Sequence, residues 1–289
     1  MKRAVLYAAL IVAPLFANTG FGANGALAAE KTVLFGVVPQ QSASRLARVW
    51  LPLTQYLSEK LGRSIEFATA KDIPTFESCL AKGAYDIAYM NPYHYVVFHD
   101  ETGYEAIARQ KDKKLKGLLV TRKDRPKTEL KQLQGAKLAF PSPAAFGASV
   151  IPRAELRKEG VDFTADYVKS HDSVYRAVAL GLYEAGGGVR RTWNTLAPEI
   201  RDQLDIFYET APYTPHAIAV AQDMDPGLRD GIQAALLALS AADGDILKNL
   251  GILGFEDGKN ADWDDVRSLH LDKAQTQIVD ETGNRCHSG

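Results

Sequence analysis

The residues that could do chemistry gather in a few short stretches, and what they offer is hydrogen-bond donors rather than a nucleophile. Gln40, Gln41 and Ser42 follow one apolar run. Tyr89 and the stretch Asn91-Pro-Tyr-His-Tyr95 follow another, adding an amide, two phenols at Tyr89 and Tyr93, and an imidazole at His94. Pro141 to Ser149 is a turn of small residues, where slim side chains would let backbone amides approach an anion. A helix start presents unpaired N–H groups and about half a positive charge, so a helix opening there is a natural oxyanion seat. Ser142 and the backbone of Ala144 are the candidates, although Ser142 would serve equally as an ordinary helix cap. Ser170-His171-Asp172-Ser173 reads as a second helix start, with Ser170, Asp172 or Ser173 as cap and His171 at its mouth. His171 and Asp172 are candidate contacts, and a solvated surface histidine is the plainer alternative. Gly186 to Gly188 lead into Val189, Arg190 and Arg191. The glycines would admit a close backbone approach, and Arg190 would add a fork of donors suited to an oxyanion unless both arginines are simply solvated. Tyrosines after a strand are also common packing residues.

The chain lacks the usual catalytic signatures. It has no G-x-S-x-G elbow, no H-E-x-x-H, and no carboxylate–histidine cluster at metal-ligand spacing. His94 and His99 stand five apart, which does not align two imidazoles on one helical face. A hydrolase of phosphorus esters is therefore disfavoured, and no catalytic residue, cofactor or metal is expected. The balance of 34 basic and 35 acidic residues in 289 argues against nucleic acid or a membrane surface as partner. An anion must be held by local groups. The two cysteines, Cys79 and Cys286, leave three readings open. They could form one disulfide tying the tail to the body, remain a buried thiol and a free tail thiol, or capture a soft metal or arsenite.

Lys2 and Arg3 precede an apolar run from Ala4 to Phe16 and small residues ending in Ala26-Leu27-Ala28, the order of a secretory signal peptide over 1–28. That run is short of the roughly 20 apolar residues that cross a bilayer. The remainder is expected in the periplasm, as a monomer. Along it, strands are expected at 32–38, 64–68, 85–89 and 117–121, with helices after Ser42 and around 74–82. Alternating strands and helices imply a parallel α/β sheet. A polar stretch from Arg122 to Lys131 resembles a linker, and a second α/β pattern opens at Lys137. This divides the chain into one lobe of 29–121 plus 217–289 and another of 122–216, with crossings near 121–126 and 209–216 and a ligand cleft between.

Four stretches in order carry a resemblance to a family: Phe35-Gly-Val-Val-Pro39, Gly83 to Tyr95, Phe140 to Ser149, and Ser170 to Val178. They resemble the periplasmic substrate-binding proteins of phosphate, phosphite and phosphonate ABC transporters. The resemblance implies an α/β, type II periplasmic binding fold whose lobes close on an oxyanion and deliver it to an ABC permease. A sensor that reports the ligand to a membrane histidine kinase is the alternative. It also implies an oxyanion-binding role for His171, and departs from the family in two places. Ala144, Ala145 and Phe146 stand where a Ser/Thr cluster is usual, and arginines stand where aminophosphonate binders hold the ligand's amine with carboxylates.

Overall fold

The computed structural model describes residues 31–271, 276–278 and 286, all within one compact unit spanning 31–289. The expected signal segment lies outside the described residues, as does most of the tail beyond Lys273. Two sheets form two lobes. The first lobe opens with β1 (Val33–Val37), α1 (Ala43–Leu61), β2 (Ile65–Ala68), α2 (Ile73–Ala81), β3 (Ile87–Met90), α3 (Pro92–Thr102) and β4 (Glu105–Gln110). The second contains β5 (Gly117–Arg122), β6 (Ala136–Phe140), a π-helical turn (Phe146–Val150) running into α4 (Ile151–Lys158), β7 (Phe163–Tyr167), α5 (His171–Ala179), β8 (Ala185–Val189), α6 (Arg190–Asn194), α7 (Pro198–Arg201) and β9 (Leu204–Glu209). The chain then returns to the first lobe with β10 (Ala217–Val220), α8 (Pro226–Ala238), α9 (Gly244–Leu250), β11 (Phe255–Asp257) and α10 (Asp264–Arg267).

The first sheet has the order β11-β4-β10-β3-β1-β2, with β1 parallel to β2 and β3 and the returning β10 antiparallel to β3 and β4. The second has the order β7-β6-β8-β5-β9, in which β5 runs antiparallel to both β8 and β9. Because β5 pairs only there, the first crossing is 111–116, ahead of the strand. The strand at 117–121 therefore belongs to the second lobe rather than the first, and the crossing lies ahead of it rather than near 121–126, where the polar run only resembles a linker. The second crossing spans 210–216. Leu115 and Tyr213 bridge the crossings with a reciprocal pair of backbone hydrogen bonds of 2.7 and 2.8 Å.

Parallel strands buried on both faces need helices on both sides. Leu46, Trp50, Leu53 and Leu57 of α1 recur at three- and four-residue steps and are buried on the first sheet. Lobe two has an apolar cluster on each face of its sheet, one around Leu119, Leu138 and Phe140, the other around Val120, Val174 and Val178. The π turn behaves differently, since Phe146, Ala148 and Val150 join the core of lobe one. The glycines of β8 explain how helices approach that strand closely. A Cβ at Gly187 would sit 1.8 Å from the Ala148 carbonyl oxygen, and one at Gly188 2.1 Å from the Tyr175 hydroxyl. The run thus admits α5 and the π turn, the close backbone approach expected of these glycines.

Cys79 of α2 and Cys286 form a disulfide. No free cysteine remains in the protein, so the thiolate-capture reading is set aside.

Candidate ligand-binding site

Strand ends and helix starts meet between the lobes around a cavity of about 10 Å³, room for about one water. Its lining includes Val38 and Gln40 after β1, Asn91 after β3, Ala145 to Ala148 after β6, His171 after β7 and Val189 at the end of β8. Open α/β sheets place ligands at the carboxyl ends of their strands, and both sheets present those ends here. The same residues mark helix starts. Ile73 is the first residue of α2, Asn91 caps α3, Phe146 opens the π turn, His171 opens α5 and Val189 caps α6. Five helical segments thus begin at the wall of one small space, where helix starts carry partial positive charge.

Asn91 holds two of these pieces. Its Oδ1 accepts from the His94 backbone N–H at 2.8 Å, capping α3, and its Nδ2 donates across the cleft to the Ala144 carbonyl at 3.1 Å. After Asn91 the chain turns straight into α3. His94 is consequently buried, with its Nε2 2.8 Å from Glu77 Oε1. Burial raises the Glu77 carboxyl above its ordinary range, with the His94 contact opposing.

His171 is fully enclosed, and burial lowers its imidazole to about 3, so the ring is neutral at ordinary pH. Its Nδ1 lies 3.3 Å from Thr192 Oγ1, which in turn donates to the Val189 carbonyl at 3.0 Å and lies 3.1 Å from the Tyr175 hydroxyl. The backbone N–H of His171 donates across the cleft to the Gln40 carbonyl at 3.2 Å. Gln40 Nε2 is 2.9 Å from Nε2 of His216, a cavity-lining residue that sequence reasoning missed. His216 stacks on Tyr89 with ring centroids 4.9 Å apart, and burial first and the nearby Arg191 second push it well below its ordinary value. The lining therefore carries no formal charge. Ser142 Oγ and Ser149 Oγ, on either side of the turn that supplies Ala145 to Ala148, are buried without a hydrogen-bond partner among the described residues. Unsatisfied hydroxyls are uncommon in a finished interior and mark a place where a further group belongs.

The remaining candidates join the lobes around this space. Gln41 Nε2 donates to Thr195 Oγ1 at 2.6 Å, and Arg45 to the Thr195 carbonyl at 2.9 Å. Asp172 faces Arg45 at 3.8 Å. Arg191 donates to the Tyr89 hydroxyl at 2.9 Å while its guanidinium lies 5.5 Å from the ring centres of both Trp50 and Tyr89. Arg190, by contrast, is committed to Glu209 at the surface, so of the two adjacent arginines it is Arg191 that sits in the cleft. Tyr93 points away from the cavity, its hydroxyl accepting from Thr276 at 3.1 Å.

Comparison with known proteins bears on this arrangement. Residues 35–263 match the model of a family described as ABC transporter, phosphonate, periplasmic substrate-binding protein. The chain belongs to that family. A phosphate-import protein, PhnD, of Mycolicibacterium smegmatis is 26% identical over 186 residues, covering 54% of each chain, so the match spans about half of that relative's length. Among solved structures, PhnD1 of Prochlorococcus marinus in complex with methylphosphonate superposes with a TM-score of 0.78 at 18% identity, covering 86% of this chain and 99% of that one. A binding protein component of an ABC phosphonate transporter from Pseudomonas aeruginosa gives 0.76 at 16% identity, with 88% and 90% covered. At such identities these structures establish the two-lobed periplasmic-binding-protein fold. Family members are periplasmic, and among the described residues no helix is long and apolar enough to cross a membrane.

Proposed function

We propose that this protein captures a small phosphorus oxyanion (phosphate, phosphite or a phosphonate) between its lobes and delivers it to an ABC permease. The observation that carries this reading is the convergence of five helical N-termini on one enclosed cavity without a carboxylate in its lining. Neutral donors oriented in a water-poor space stabilise an anion without the cost of burying a counter-charge. Partial positive charge comes from the helix starts, and hydrogen bonds come from Gln40, Asn91, His171, His216 and the backbone of Phe146 to Ala148. Ser142 supplies a hydroxyl at the same turn. An ammonium group would find no carboxylate among the lining residues, which disfavours aminophosphonates.

Entry requires the lobes to part, because the cavity holds only about one water as the lobes meet now. The contacts across the cleft combine polar pairs, Gln41–Thr195, Arg45–Thr195, Asn91–Ala144, Arg191–Tyr89 and His171–Gln40, with the apolar packing of Phe146, Ala148 and Val150 on the first lobe. The polar pairs are readily exchanged with water whereas the apolar packing favours the closed lobes, and bound ligand completes that closed state. A permease would then read the closed pair of lobes.

The experiment is a thermal-shift series on the mature protein with phosphate, phosphite, methylphosphonate, aminoethylphosphonate, arsenate and sulfate. A ligand present at a hundred times its dissociation constant adds about 2.7 kcal/mol of stability. A marked shift with a phosphorus oxyanion and little with aminoethylphosphonate is expected. No shift with any phosphorus compound would overturn the reading.

A further inference from the structure

Beside the inner cavity lies a second one of about 60 Å³ whose walls differ in kind. Gln40, Val189 and His216 line both, so the two share a partition that includes the 2.9 Å Gln40–His216 hydrogen bond. The rest of the second wall brings Lys113, Lys114, Lys116, Arg190 and Arg191 together, with no carboxylate among its lining residues. The adjacent Glu209 is committed to Arg190 and Lys116. Lys114 meets the neutral Thr214 hydroxyl at 3.2 Å and Arg191 the neutral Tyr89 hydroxyl at 2.9 Å. Lys113 has no ion-pair partner among the described residues. Uncompensated cations gathered on a chain of net charge −1 repel one another, and an anion placed among them relieves that repulsion. The inner cavity, lined by neutral groups, contrasts with this.

We infer that the ligand carries two anionic groups, its phosphorus oxyanion in the inner cavity and a carboxylate or second phosphoryl group in the cavity of Lys113, Lys114 and Arg191. This rests on the oxyanion reading and narrows its substrate class to phosphonates or phosphates bearing an acidic substituent. Arg191 is held in place by the Trp50 and Tyr89 rings and offers fixed donors, whereas Lys113 and Lys114 are exposed point charges on flexible stems. Both crossings build the subsite, the first through Lys113 to Lys116 and the second through Pro215 and His216. The second anionic group therefore binds at the hinge, where it also fixes the relation of the lobes.

The test is isothermal titration calorimetry with methylphosphonate and phosphonoacetate, on the wild-type protein and on the Lys113→Ala/Lys114→Ala variant. Phosphonoacetate is expected to bind the wild type about tenfold or more tightly than methylphosphonate, with the advantage shrinking as salt screens the exposed lysines. In the variant the ratio of the two affinities is expected to fall toward one, and any general loss of stability cancels in that ratio. Methylphosphonate binding as tightly as phosphonoacetate in the wild type overturns the subsite and leaves the oxyanion reading standing, as does a ratio the variant leaves unchanged. Failure of both ligands to bind overturns the oxyanion reading itself.

Discussion

At the level of single residues, the cavity is lined by groups that hold no charge, and this has a consequence for pH. A free histidine titrates near 6.5, whereas burial holds His171 at about 3. As pH falls below 6.5 the unfolded chain takes up a proton that the folded chain refuses until about 3, so stability is lost across that window. Glu77 has the opposite sign: burial raises its carboxyl, and folding gains as pH falls through its raised value. The His171→Gln variant removes only the first effect. In urea denaturation at pH 7 and pH 5 it is expected to lose less stability than the wild type between the two conditions. Asn91→Ala removes a helix cap and a bond across the cleft together. It is expected to cost about 1 kcal/mol of stability and to weaken oxyanion binding, measured by thermal melting and calorimetry. Gln40, Asn91 and His171 were legible because each follows an apolar run at a turn. His216 was not, because its place depends on stacking against Tyr89, 127 positions earlier in the chain, and no local pattern announces it.

Among the elements, the legible ones were those with a polar face. Helix α1 declares itself by its apolar period, and β1, β2 and β6 by short runs that break at turns. Helix α3 gave no such signal, because Pro92 to Tyr95, Val97 and Phe98 are buried and leave little polar face to set a period. Strand β8 is harder still: Ala-Gly-Gly-Gly-Val has little intrinsic strand preference and exists because three neighbouring elements need its missing side chains. A methyl at Gly187 meets the backbone oxygen of Ala148, which cannot swing aside as a side-chain tip could. Gly187→Ala is therefore expected to destabilise the protein by about 3 kcal/mol or more, read by chemical denaturation, and to displace the π turn from the cavity. Gly160→Ala, where a Cβ meets nothing within 4 Å but φ is +72°, is expected to cost less, about 1 kcal/mol.

For the molecule as a whole, two lobes and two crossings could be read from alternating strands and helices, but the membership of β5 could not. That strand finds its partners β8 and β9 across long stretches of chain, and nothing local distinguishes it from a last strand of lobe one. The disulfide was one of three readings because spacing alone does not say which cysteines meet. It closes a loop of 207 residues, so its reduction is expected to cost about 2–5 kcal/mol of stability. Oxyanion affinity should persist on reduction, since Cys79 does not line the cavity. Melting and calorimetry with and without reductant distinguish these effects. The bridge between Leu115 and Tyr213 has a mechanical consequence. Two separate linkers would let the lobes twist, shear and bend independently, whereas two linkers laced by a reciprocal pair of hydrogen bonds form one ribbon, stiff in its own plane and compliant across it. Under the proposed opening the lobes would move as a door does on its frame, by a single easy rotation. If that rotation leaves the bridge intact, the amide hydrogens of Leu115 and Tyr213, each bonded to the other crossing, exchange slowly with solvent whether the door stands open or shut.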